Sequence, residues 1–251
     1  MSEEIWLYIL VGFAAQVVDG AIGMAYGVTS SSFLLGIGLP PATASACVHA
    51  AETFTTGISG LAHWKFGNVD RRLIWRLAAP GMVGGAIGAY ALANLPGDLL
   101  KPYISGYLML VGLFIVYKAV HKRHSFVDDP PNNVAPLGFV GGLVDAIGGG
   151  GWGPIVTSTL LGQGTTPRYA IGSVNLAEFF VTLTISATFL LTIDLELWPI
   201  ITGLLIGGVA AAPLAAWSTK HLPPKLLMII VGCVVMALSL RTILKALGWW
   251  F

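Results

Sequence analysis

The chain has 251 residues, of which 55% are apolar and only 10% charged, with a formal net charge of +1. A soluble domain carries roughly 25% charged residues, so this balance and a mean hydropathy of +0.80 predict an integral membrane protein. The absence of any basic stripe interleaved with aromatics excludes nucleic acid as an expected partner.

Taken in order, the chain opens on Met1-Ser2-Glu3-Glu4, acidic where a secretory signal is basic, so the first apolar segment is expected to remain in place. That segment, 5–36, carries the break Gly20-Ala21-Ile22-Gly23-Met24-Ala25-Tyr26-Gly27. Each arm is about 14 residues, roughly 21 Å of helix against a hydrocarbon core of about 30 Å, which predicts a re-entrant helical hairpin. Such a break is tolerated at depth only under a cover of protein or a water-lined cavity. Apolar stretches at 42–64, 74–94 and 101–119 suit full crossings. A polar linker at 121–134 follows, and the second half opens on 135–162 with the break Gly148-Gly149-Gly150-Gly151-Trp152-Gly153-Pro154.

The halves are duplicates. Residues 11–56 align without a gap on 137–182 at an offset of 126, with 18 of 46 pairs identical, more than shared composition gives. One hairpin and three crossings per half is an odd number, so repeat 1–120 and repeat 135–251 are expected to enter the membrane with opposite orientation. The fold class is therefore all-α and polytopic, with two inverted-topology repeats in one transmembrane domain. Loop charge agrees: Lys65, Arg71, Arg72 and Arg76 face one acid, Asp70, whereas the counterpart loop carries Asp194 and Glu196 without a base. The linker with Lys122 and Arg123 is then cytoplasmic and both termini lie outside; Arg241 and Lys245 near the end run against this.

Four carboxyl side chains lie inside apolar stretches, as two repeat-related pairs: Asp19 with Asp145, and Glu52 with Glu178. A carboxylate at the membrane centre costs on the order of 2.5 to 3.5 kcal/mol, so each is a functional candidate. Asp19 and Asp145 end the first hairpin arms, where they can accept hydrogen bonds from N–H groups freed by the break. Glu52 and Glu178 sit mid-span, each on the face of the residue three before it, His49 and Asn175. They either exchange protons during transport or hydrogen-bond between helices as packing groups. The second arm of each hairpin starts with unpaired N–H groups aimed at the membrane centre, an arrangement that binds anions. The residues placed to line that site are Gly23, Gly27, Ser30 and Ser31 in one half and Gly149, Gly150, Gly151, Trp152, Thr157 and Ser158 in the other. Gly81, Gly84, Gly85 and Gly88, with Gly203, Gly207 and Gly208, read as faces for close helix packing. Cys47 and Cys233 fall in apolar segments and read as packing residues; no histidine spacing suggests a metal site, and no cofactor is expected.

The run Asp145-Ala-Ile-Gly-Gly-Gly-Gly-Trp-Gly-Pro-Ile-Val, followed by Gly164-Thr-Thr-Pro-Arg-Tyr-Ala-Ile-Gly-Ser-Val-Asn-Leu-Ala-Glu178, resembles the second-half motif of the sulfite exporter TauE/SafE family. The resemblance covers nearly the whole chain. It implies a multi-pass carrier in the cytoplasmic membrane that exports a small anion such as sulfite or sulfoacetate, with no enzymatic activity. The anion is then expected on the two half-helix starts with hydroxyl, Asn175 or His49 donors, while Glu52 and Glu178 handle protons or keep the structure. Protons are the candidate coupling ion and a homodimer the candidate assembly. Two rivals stand beside this reading: a channel or cation pathway using the carboxylates and glycine carbonyls, and, more weakly, an intramembrane enzyme.

Overall fold

The starts of several helices are written locally. Proline occupies the first turn at Pro41, Pro136 and Pro167, where its missing N–H costs nothing, and Asp70 caps another helix by accepting from the N–H groups of Arg72 (2.8 Å) and Leu73 (3.3 Å). The computed structural model describes residues 2–22, 26–121, 133–193, 198–221 and 224–249, and these are helical with short connections and no strand. In chain order the helices are α1 (Ser2–Ile22), α2 (Tyr26–Gly36), α3 (Pro41–Lys65), α4 (Arg71–Asn94), α5 (Gly97–Val120) and α6 (Ala135–Gly148). A π-helical turn at Gly153–Thr157 leads into α7 (Ser158–Gly162), followed by α8 (Pro167–Thr192), α9 (Trp198–His221) and α10 (Pro224–Ala246).

Segments Gly97–Val120, Tyr169–Thr192 and Met228–Ala246 are long and apolar enough to cross a membrane. Large apolar side chains also point outward all round the described surface, among them Phe54, Ile58, Trp75, Ile87, Leu110 and Leu191. A water-soluble domain does not carry so much exposed apolar surface, and lipid is the solvent that suits it.

One boundary differs from the sequence expectation. The first break is narrower: α1 continues through Gly20 to Ile22 and α2 resumes at Tyr26. A single glycine costs a helix only about 1 kcal/mol, too little to end one that is packed along its length. Lys118 lies in the last turn of α5, within the crossing expected at 101–119. Gly23, the linker residues Lys122 and Arg123, the loop acids Asp194 and Glu196, and the final Trp250-Phe251 lie outside the described residues.

Glycine sets which helices touch. α4 packs on α6, where a Cβ on Gly84 would overlap the Phe139 carbonyl and one on Gly142 the Gly81 carbonyl. α1 packs on α9 in the same manner, Gly12 against Leu204 and Gly207 against Ile9. These contacts are backbone to backbone and leave no room for a side chain. Repeat-equivalent helices also pair with each other, and they run antiparallel. On α3 and α8, Gly57 meets Phe179 and Gly60 meets Leu176, while Thr53 Oγ1 lies 3.3 Å from Ser186 Oγ. On α5 and α10, Gly112 faces Gly232 and Met236.

Candidate functional site

Both breaks are pinned by the same pair of contacts. Asp19 Oδ1 accepts the backbone N–H of Tyr26 at 3.2 Å, and Asp145 Oδ1 accepts that of Trp152 at 2.9 Å, seven residues on in each half. A carboxylate thus takes up the first orphan donor of each second arm. The aromatic ring at that same position is then anchored. Tyr26 donates its hydroxyl to the Leu204 carbonyl (3.2 Å), and the fully buried Trp152 donates Nε1–H to the Val174 carbonyl (3.3 Å).

The second break exposes carbonyls at depth, and first-half side chains cover them. Ser45 Oγ donates to Ala146 O (2.6 Å), Ser31 Oγ to Gly149 O, and Tyr107 Oη to Gly150 O (3.2 Å). Gly149 ends α6 in the left-handed region at φ 68°, a conformation glycine adopts without a Cβ clash. His49 completes the cover. Its Nδ1–H donates to Ser45 O (2.8 Å), leaving Nε2 against Asp145 Oδ2 at 3.1 Å, with both side chains buried. This is the condition under which irregular backbone survives inside a bilayer.

The breaks meet. A Cβ on Gly27 would lie 2.9 Å from the Gly150 Cα and 2.8 Å from Glu52 Oε1, and one on Gly150 would overlap Gly27 and Val28. Beside this contact is a cavity of about 20 Å³, room for about one water. Three carboxyl side chains line it, Asp19, Glu52 and Glu178, with Asn175. Both breaks complete the lining: Tyr26, Gly27 and Val28 from one half, Gly151, Gly153 and Pro154 from the other. Glu52 is 4% exposed; its carboxyl takes the Gly27 N–H, and its Oε2 has no protein partner.

The sulfite exporter TauE/SafE profile matches residues 8–242, a span that contains both breaks and every cavity residue. The chain belongs to the sulfite exporter TauE/SafE family. It is 41% identical over 253 aligned positions to the "Probable membrane transporter protein YtnM" of Bacillus subtilis (strain 168), covering 97% of this chain and 84% of that protein. It is 25% identical over 172 positions to the "Probable membrane transporter protein ORF9" of Sinorhizobium sp, covering 68% of this chain and 61% of that protein. No solved structure matches it. Family, relatives and apolar helices together support a membrane transporter.

Within this TauE/SafE chain the expected binding residues divide. Gly27, Gly151 and Asn175 line the cavity with Asp19, Glu52 and Glu178. His49 is placed elsewhere: instead of sharing the cavity with Glu52 it faces Asp145, because its ring reaches across to α6. Ser31, Trp152 and Asp145 hold the second break, and Gly149 and Gly150 supply its covered carbonyls. Ser30 and Thr157 are buried with hydroxyls lacking a protein partner, and Ser158 accepts from Lys118 Nζ at 2.8 Å. Tyr26, Val28, Gly153 and Pro154 line the cavity without having been expected there. The repeat offset was the available signal for Tyr26, since it pairs that residue with Trp152. Among the described residues no three His, Cys, Asp or Glu side chains converge as a metal-binding group.

Proposed function

We propose that this TauE/SafE protein is a multi-pass secondary transporter of the cytoplasmic membrane that exports sulfite or a small organosulfur anion such as sulfoacetate by alternating access. The antiparallel pairing of α3 with α8 and of α5 with α10 supports two inverted halves, 1–120 and 135–251, joined by a cytoplasmic linker at 121–134. Each half is a re-entrant hairpin with three crossings. The observation that carries the reading is the contact of the two breaks at Gly27 and Gly150 beside a carboxyl-lined cavity.

Second arms that begin at such a point aim their partial positive charge at it, and an anion binds there without a basic side chain. The donors are already engaged by the protein's own acids, Asp19 at Tyr26 and Glu52 at Gly27. An incoming anion therefore competes with the Glu52 carboxylate for the Gly27 N–H. Two negative charges about 4 Å apart repel by about 4 kcal/mol at an effective dielectric of about 20, so Glu52 takes up a proton as the anion enters. That exchange couples protons to the solute. A space of about 20 Å³ admits a water-sized group, so a larger anion enters only when the breaks part, which is the motion alternating access requires.

Flux of sulfite and sulfoacetate into proteoliposomes tests this. Glu52→Gln keeps an acceptor for the Gly27 N–H but carries no titratable proton, and its flux is expected to lose the pH dependence of the wild type. Glu178→Gln is expected to weaken that dependence. Unchanged flux and pH response in both variants would remove the proton role, and wild-type liposomes without saturable counterflow of either anion would remove the substrate assignment. The three carboxyl groups and the lack of any basic lining residue favour one alternative, a cation pathway. A conductance that grows with voltage and ignores sulfur oxyanions would select it.

A further inference from the structure

A second pocket, of about 240 Å³, lies at the end of the bundle where α2 finishes. Lys101 of α5 converges there with Arg241 and Lys245 of α10, against one acid, Asp98, over a floor at Leu35 and Gly36. Basic residues in the last turns of α10 suit the negative end of that helix. Lys101 has no such reason to be there, because it stands near the start of α5, where the helix dipole opposes a cation.

One turn deeper on each of the three helices stands a serine. Ser105 is four residues beyond Lys101, Ser239 three before Thr242, and Ser32 four before Gly36, so each shares the pocket-facing side of its helix. Ser105 and Ser239 also lie level with each other: both are seven residues from the Gly112–Gly232 contact, counted in opposite directions. All three are at most 2% exposed, and none of the three hydroxyls has a protein partner. Buried hydroxyls are almost always hydrogen-bonded, so three bare ones beneath a basic pocket point to water or a polar ligand between these helices.

We propose that this pocket binds an oxyanion, held by Lys101, Arg241 and Lys245, with the serine hydroxyls as deeper donors. The same chemistry is offered by a free sulfur oxyanion and by the phosphate of an anionic lipid. As the outer mouth of the solute route the site rests on the transport reading; its affinity for an oxyanion does not.

Calorimetric titration of the purified protein in zwitterionic detergent with sulfite and with sulfate tests the free anion. Native mass spectrometry after incubation with phosphatidylglycerol tests the lipid. Arg241→Gln or Lys245→Gln is expected to weaken binding about threefold, and the two together at least about tenfold. Asp98→Asn is expected to tighten it about threefold, and Lys245→Arg to leave it unchanged. These last two variants separate a charge effect from damage to the fold, and gel filtration checks each protein. Loss confined to sulfite and sulfate assigns a solute site, and loss confined to phosphatidylglycerol assigns a lipid site. A wild type that binds neither, or a double variant that binds both as the wild type does, overturns the proposal. Because binding is measured without flux, failure of the Glu52→Gln experiment leaves this result readable.

Discussion

His49 and its repeat mate Asn175 have diverged in what they touch. Asn175 lines the cavity and donates Nδ2–H to the Ile171 carbonyl of its own helix at 3.1 Å. His49 instead ties α3 to the end of α6 through Asp145. Removing one member of a buried pair leaves the other uncompensated, which costs about 3 to 5 kcal/mol. His49→Ala is accordingly expected to destabilise the protein by about 3 kcal/mol in equilibrium unfolding in detergent micelles, and His49→Asn, which restores the residue of the other half, by less. Ser45→Ala strips the donor from the Ala146 carbonyl and is expected to cost about 1 kcal/mol in the same measurement. A loss of comparable size from both alanine variants would mean that His49 is a packing residue only.

At the scale of the helix, glycine has two meanings that composition alone does not separate. On α6, Gly142 lies directly against the Gly81 carbonyl of α4, so a methyl group there forces the pair apart. On α5, Gly106 has nothing within 4 Å of where its Cβ would stand. Gly142→Ala is expected to cost about 1 to 3 kcal/mol through overpacking. Gly106→Ala is expected to be neutral, or to stabilise by up to about 1 kcal/mol through helix propensity. Thermal melts in one detergent compare the two, and equal shifts would contradict the close approach of α4 and α6.

For the molecule as a whole, the proposed inversion of the two halves predicts that the loop after α3 and the end of α8 lie on opposite sides of the membrane. In a Cys47→Ala, Cys233→Ser background, Phe66→Cys is expected to react with an impermeant thiol reagent from the cytoplasmic side. Ile193→Cys is expected to react only from the outside. Labelling of both from one side would contradict opposed halves. The packing of α2, α5 and α10 gives the basic residues near the C-terminus a setting. Arg241 and Lys245, which oppose the loop-charge rule when read as a tail, share a pocket with Lys101 and Asp98.

The duplication, the two breaks, the paired carboxyls and the small-residue faces were all legible in the linear chain. They are properties of neighbouring residues: a constant offset, a glycine cluster within an apolar run, a helical spacing. Three relations were not legible, namely the reach of His49 to Asp145, the serine and tyrosine covers on the second break, and the gathering of Lys101 with Arg241 and Lys245. Each joins residues of different helices, His49 and Asp145 being 96 apart in sequence. Spacing along one helix fixes which side a residue occupies, whereas its partner depends on how closely two backbones approach. At Gly27 and Gly150 that approach is close enough to exclude any side chain, and only the folded protein decides it.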